Sequence, residues 1–263
     1  MTHSKLYISD ICQVFNEHED NEVQALKNVN LKFNCGDFIL IIGHNGSGKS
    51  TLLNIIDGRL KPTSGNIFID GENIINLKPY QRSKKIYRLF QETLTGLIPH
   101  ATIRENLAFA KKRNKSYSSF RPLLKKKDET LFKNTLEKFN TNLSANLDKK
   151  IFDLSPGERQ AVVLALLLIQ TDTEPQILLA DEPTASLDPE MAQKTIQVFR
   201  ELAAKGWLCI VVTHDTEFIN NHKGRIVRLK NGEVEPPIFE VQKNWDELYK
   251  KHIDGTSSPL PWV

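Results

Sequence analysis

The segment Gly43-His44-Asn45-Gly46-Ser47-Gly48-Lys49-Ser50-Thr51 constrains this chain more than any other, because it fits G-x-x-x-x-G-K-[ST]. Glycines at that spacing let successive backbone N–H groups turn toward one point. A helix opening at the end of the loop aims the positive end of its dipole at the same point. The chemistry that fits is a phosphate chain, with Lys49 reaching the β- and γ-phosphates and the Ser50 hydroxyl binding Mg²⁺. A continuous apolar run, Phe38 to Ile42, leads into the loop, and the helical segment Ser50 to Ile56 leaves it and stops at Gly58. Strand, glycine loop and helix in that order require an α/β core.

Further strands are legible downstream. Ile177 to Ala180 and Leu208 to Val212 are short apolar runs of the kind buried on both faces of a parallel sheet. Ile67-Phe68-Ile69-Asp70-Gly71 ends on an Asp-Gly turn, and Arg225 to Glu235 turns at Asn231-Gly232, so both read as antiparallel hairpins. The expectation is a mostly parallel core with an antiparallel flank nearer the N-terminus. From about residue 92 to 160 strand signals give way to helical spacing, as in a helical insertion. The expected division is 5–91 with 161–235 as the nucleotide-binding core, 92–160 as the helical subdomain, and 236–263 as a loosely packed tail. Within the insertion, Lys111 to Lys127 holds eight basic residues and no acidic ones. That stretch is open to two readings, a solvated loop or a contact with anionic lipid or an acidic partner.

Composition narrows the setting. With 40% hydrophobic and 25% charged residues in 263, the chain is an ordinary globular sequence, neither disordered nor a disulfide miniprotein. A net charge of +3 calls for no nucleic-acid partner. Cys12, Cys35 and Cys209 are few and widely spaced, which predicts reduced, mostly buried thiols in a cytosolic compartment. The first ten residues lack a basic segment followed by an apolar core, so no secretion signal is expected. The longest apolar run, Ala161 to Ile169, is too short to cross a bilayer.

A second motif gives the loop its partner. Ile177-Leu178-Leu179-Ala180-Asp181-Glu182 is a buried strand delivering two carboxylates at its C-terminal end, where open α/β sheets bind ligands. Asp181 would hold Mg²⁺ directly or through water, and Glu182 would polarise an attacking water. Kinases, GTPases and helicases could all be built on these two motifs.

Leu154-Ser155-Pro156-Gly157-Glu158-Arg159-Gln160 decides between them. It resembles the signature motif of ATP-binding cassette (ABC) proteins, usually written L-S-G-G-Q. Gln91, in Leu89-Phe90-Gln91-Glu92, resembles the family's Q-loop glutamine, and Ser186-Leu187-Asp188 its D-loop. His214, after the strand Leu208 to Thr213, resembles the switch histidine. Phe15 resembles the aromatic that stacks on adenine, although tyrosine is commoner there. The resemblance runs from about Leu6 to Glu235 and implies a P-loop NTPase core. It also implies catalytic roles for Glu182, His214 and Gln91, and a metal set of Ser50, Gln91 and Asp181. Phe15, the loop, Ser155, Gly157 and Asp188 would bind the nucleotide.

Two residues depart from the signature: Pro156 replaces a glycine and Glu158 a glutamine. Ser155 followed by Glu158 is S-x-x-E, a capping box, and proline suits the first helical position between them. A firm helix N-terminus is still expected, so the site should remain intact although Pro156 removes one N–H donor.

The resemblance implies an ATP- and Mg²⁺-dependent ATPase that pairs head-to-tail with a second copy. Each nucleotide would lie between the loop of one copy and Ser155-Gly157 of the other. It further implies separate transmembrane permease subunits, docked near Phe90 to Leu107, and a seat on the cytoplasmic face of the membrane. That segment and the basic stretch behind it look most like bacterial uptake ATPases for amino acids such as tryptophan or tyrosine, which would add a substrate-binding protein. The competing reading is a soluble or regulatory ABC ATPase. Neither the two cassettes of translation-type members nor the coiled-coil insertion of repair-type members is present in this sequence, which leaves the cell-division type. A small-molecule kinase would require neither Leu154 to Gln160 nor His214.

Overall fold

A computed structural model describes residues 5–112, 126–139, 141–170, 176–185, 187–220, 222 and 224–240. Most of the basic stretch 111–127, Ser186 and the tail beyond residue 240 lie outside the described residues. The strands are β1 (Leu6–Phe15), β2 (Val23–Phe33), β3 (Phe38–Ile42), β4 (Ser64–Ile69), β5 (Glu72–Asn73), β6 (Ile86–Leu89), β7 (Ile177–Asp181), β8 (Leu208–Val212), β9 (Arg225–Lys230) and β10 (Glu233–Glu240). The helices are α1 (Lys49–Asp57), α2 (Pro79–Arg82), α3 (Ile103–Lys112), α4 (Lys126–Glu137), α5 (Thr141–Ala145), α6 (Pro156–Ile169), α7 (Pro189–Ala204) and α8 (Thr216–Asn220).

Two sheets form: an antiparallel one in the order β2-β1-β4-β5 and a mostly parallel one in the order β10-β9-β3-β8-β7-β6. Alternation along the parallel strands explains how the layers stack. Ile39 and Ile41 of β3, Ile177 and Leu179 of β7, and Ile210 of β8 join a cluster with α1 and the antiparallel sheet. Leu40, Leu178, Ala180, Cys209 and Val211 face the other way, into a cluster shared with α3, α4, α6 and α7. The parallel sheet is therefore covered on both faces, as its unbroken apolar strands require. Fully buried aliphatics such as Leu40 and Leu164 each contribute about 1.5–3 kcal/mol. Helix α6 is buried from Gln160 to Leu167, so it lies inside the protein rather than on it.

The Asp70-Gly71 hairpin forms as expected, and the chain reverses at Asn231 (φ 51°) and Gly232 (φ 82°). The second hairpin, β9 with β10, is antiparallel as expected, and it joins the main sheet. β9 runs parallel to β3, and only β10 is antiparallel, so this hairpin closes the edge of the parallel sheet. Lys27 N–H donates to Gly232 O at 2.8 Å, joining that edge to β2. Among the described residues of 93–153 the regular elements are helices joined by turns, with one isolated bridge, Thr102 with Lys150.

The three thiols are free, but only Cys209 is buried. Cys35 is exposed because it lies in the tight connection between β2 and β3, and Cys12 is half-buried on β1. No helix among the described residues is long and apolar enough to cross a membrane.

Candidate nucleotide site

The loop 43–51 sits between β3 and α1, at the carboxyl end of the parallel strands. Its backbone demands glycine. A Cβ on Gly43 would lie 2.2 Å from Leu229 O, and one on Gly48 would lie 2.5 Å from Ala25 O, with φ at +100°. Gly48 is also the N-cap of α1, which therefore has no side-chain cap, and no acidic residue occupies the first turn. Its first N–H groups are left for an anion. Lys49 Nζ donates to Gly43 O and His44 O, both at 2.7 Å, so the loop folds around its own ammonium group. Burial pushes the Lys49 pKa down, while Glu182 and Asp181 oppose that shift. Ser47 Oγ is buried without a hydrogen-bond partner, an orphan whose natural complement is a ligand oxygen. Asn45, Gly46 and Ser50 are exposed.

The carboxylates arrive on β7. Asp181 pairs in register with Val212 of β8, and Leu89 of β6 pairs with Ala180. Both flanking strands therefore end beside it. Arg88 Nη2 donates to Asp181 Oδ2 at 2.9 Å. Glu182 follows with φ +46°, a turn that a side-chain-bearing residue adopts only when its surroundings fix it. Its N–H donates to Val212 O, and its carboxylate meets His214 Nδ1 at 2.6 Å. The Glu182 side chain is 14% exposed and that of His214 74%, so the pair joins a shielded carboxylate to an open imidazole. His214, Gly43, His44 and Asn45 also line a cavity of about 310 Å³.

The other predicted residues are distributed more widely. Gln91 is exposed just beyond β6, on the Asp181 side of the sheet. Phe15 ends β1 with 36% of its surface open, paired with Val23 two residues from the Ala25 that contacts Gly48. Thr51 is half-buried on α1. Ser155 caps α6: its Oγ accepts from Glu158 N–H at 3.2 Å, and Glu158 Oε2 accepts from Ser155 N–H at 2.8 Å. The capping box is present, with Pro156 at the first helical position. Asp188 caps α7 by accepting from Met191 N–H at 3.0 Å, and lies close to Gly157. The structure thus gathers Lys49, Asp181, Glu182 and His214 in one place. The contacts of Ser155, Gly157 and Asp188 form a second cluster at the start of α6.

Sequence reasoning missed Arg88 and the residues around it, Asp57, Arg59 and Phe90. The signal was available: an arginine inside the otherwise apolar strand Ile86 to Leu89, with a side chain only 9% exposed. Such a residue must have buried partners. Among the described residues no cluster of three or more His, Cys, Asp or Glu could hold a metal alone. One carboxylate and one hydroxyl beside a phosphate seat is the hard, sparse oxygen set that Mg²⁺ accepts when a nucleotide supplies the remaining ligands.

Comparison with known proteins agrees with this chemistry. The ABC transporter family matches residues 26–185, more than half of the chain. A tyrosine transport ATP-binding protein of Clostridioides difficile is 33% identical over 239 residues, covering 90% of this chain and 93% of its own length. The phosphonates import ATP-binding protein PhnC 3 of Halalkalibacterium halodurans is 31% identical, covering 89% of this chain and 91% of its own length. Among solved structures, a dimeric ATP-binding cassette in a post-hydrolysis state, bound to ADP and Pi, superposes with a TM-score of 0.72. It is 32% identical and covers 88% of this chain and 97% of its own. A family match over more than half of the chain, and relatives above 30% identity along nearly its whole length, lead to one conclusion: the chain belongs to the ABC transporter family, as one of its ATP-hydrolysing cassettes.

Proposed function

We propose that this chain is the ATPase subunit of an import-type ABC transporter, acting as a head-to-tail pair on the cytoplasmic face of the membrane beneath separate membrane-spanning subunits. The observation that carries the reading is the Glu182–His214 contact of 2.6 Å beside Lys49, at the carboxyl end of the parallel strands.

In this reading the loop 43–51 grips the phosphates of ATP and Lys49 neutralises the β- and γ-oxygens. The half-open ring of Phe15 offers a face to adenine. Ser50 and Asp181, with Gln91 at the rim, would hold Mg²⁺, which would offset negative charge on the phosphates during transfer. Glu182 orients and polarises the attacking water, and its neighbour His214 holds that carboxylate and reaches for the γ-phosphate. A second copy completes the site with Ser155 and Gly157, and Asp188 supports the junction. Ser155 Oγ already accepts a bond from Glu158 N–H, so its own proton remains free to donate to a phosphate oxygen. The rate advantage comes mostly from positioning and charge.

Tyr80, Ile98 and Phe109 are exposed apolar residues lining a groove of about 500 Å³ with Phe90. This is the surface that a helix of the membrane subunit would cover. Names of relatives support import, and the tyrosine relative supports an amino-acid cargo.

Glu182→Gln provides the test. Turnover should fall at least about a hundredfold while ATP is retained and the pair becomes stable on gel filtration. Hydrolysis near the normal rate would remove Glu182 from its role. Purification from detergent-solubilised membranes should bring down a membrane-spanning subunit, whereas recovery without one would favour a regulatory, non-transporting ATPase.

A further inference from the structure

Arg88 stands between a half-buried acid, Asp181, and a buried one, Asp57. Its Nη2 holds Asp181 Oδ2 at 2.9 Å, and its Nε lies 3.8 Å from Asp57 Oδ2, on the last residue of α1. The second contact is too long for a hydrogen bond. Both atoms of that contact, Arg88 Nε and Asp57 Oδ2, are buried and without a hydrogen-bond partner. One guanidinium is thus bonded to the first carboxylate and poised beside the second with an unmade bond ready to close. The other nearby cations are placed differently, and neither is bonded to Asp181. Arg59 is 48% exposed and 3.6 Å from Asp57, and Arg82 is committed to the carbonyl oxygens of Ile55, Ile56, Ile75 and Leu77. Arg59 and Arg88 both approach the ring of Phe90, at 4.1 and 5.6 Å from its centre, and Phe90 immediately precedes Gln91. Asp57, Arg59, Arg88 and Phe90 also line the groove containing Tyr80 and Phe109.

We propose that Arg88 is a positioning residue of the cation site, shared between Asp181 and Asp57, and that its division between them sets how strongly Asp181 takes Mg²⁺. The proposal rests on Asp181 as the Mg²⁺ carboxylate. A cation bonded to Asp181 competes with Mg²⁺ for the same charge. Mg²⁺ at Asp181 releases Arg88 toward Asp57, where the unmade bond closes at a buried acid. Because the guanidinium touches Phe90 and the groove floor, the same shift is felt by the segment carrying Gln91. By reciprocity, displacement of Arg88 from the groove side changes Mg²⁺ affinity.

The two ends of this arrangement predict opposite signs. Asp57→Asn removes the alternative acceptor and leaves Arg88 on Asp181, so the Mg²⁺ concentration at half-maximal binding of a fluorescent ATP analogue should rise by about threefold or more. Arg88→Met removes the competing cation, and the same midpoint should fall by about threefold or more. The double variant should return to within about twofold of the original, because it removes one charge of each sign. Nucleotide affinity in EDTA is the control and should change by less than about twofold in all three, which a general loss of structure would not allow. If Arg88→Met alone does not fold, Asp57→Asn and the charge-neutral double variant still decide. Midpoints moving in the same direction, or not moving, would overturn the proposal. Asp181→Asn separates the two claims: an unchanged Mg²⁺ midpoint there would instead dismiss Asp181 as the metal carboxylate.

Discussion

Two helices of this protein begin at points where the proposed mechanism needs a phosphate, and they begin in opposite ways. Helix α1 starts at a left-handed glycine, with no side-chain cap and no acid in its first turn. Helix α6 starts at Ser155, closed by a reciprocal box with Glu158 and a proline at the first helical position. The first helix leaves its N–H groups bare and is completed only by a ligand. The second satisfies itself and presents a finished surface with one spare hydroxyl proton. The difference matches what each must do. A bare end binds phosphate within one chain, at a cost in local stability without it. A capped end can stay folded while exposed and meet a phosphate that another copy carries.

The largest break in this comparison comes from the bare end. Lys49 is the one side chain that puts full positive charge inside that loop, bonded to Gly43 O and His44 O. Lys49→Ala should weaken ATP binding by about a hundredfold or more, measured by fluorescent-nucleotide titration. Affinity within about fivefold of the original would mean that the uncapped helix end suffices alone.

At the capped end the effects should separate. Ser155→Ala should lower stability by about 1 kcal/mol, read by denaturant unfolding, because Glu158 N–H loses its acceptor. Binding of ATP to the isolated chain should change by less than about twofold, while turnover falls by about tenfold or more, since Ser155 acts across the pair. Equal losses in binding and turnover would place Ser155 in the same site as Lys49 and erase the distinction.

What the sequence made legible follows the same division. The loop, the runs of β3, β7 and β8, and the S-x-x-E box are local signals, each complete within a few residues. The antiparallel flank was expected, but the bounds of β1 and β2 were not legible, because bulges between Ile8 and Ile11 and again before Val14 break the alternation that marks a strand. Asp10, at φ 54°, sits in the first irregularity. Arg88 escaped notice for a different reason: its acid lies on a strand 93 positions away, and only the parallel pairing of β6 with β7 brings them together. The oddity of Arg88 was visible locally, but its partner was not.

The smallest expected effect tests why α6 carries an acid where the family usually has glutamine. Burial of Glu158 would raise its pKa, but the Ser155 N–H and then Lys149, 3.5 Å away, outweigh burial and hold the carboxyl below its ordinary 4.5. A lowered folded-state value means that Glu158 stabilises the protein above that pH, and that the contribution fades as pH falls through the folded value. Glutamine keeps the acceptor for Ser155 N–H and loses only the charge, so Glu158→Gln should cost less than about 1 kcal/mol near pH 7. The variant should also lose less stability than the original protein on acidification below pH 4.5, as seen in unfolding curves collected over that range. Helix α1, with no acid in its first turn, has no equivalent term. Curves for the two proteins that stay parallel into acid would show that the Glu158 charge adds nothing to the cap, leaving the hydrogen bonds of the box as the whole of what distinguishes this helix end from the bare one.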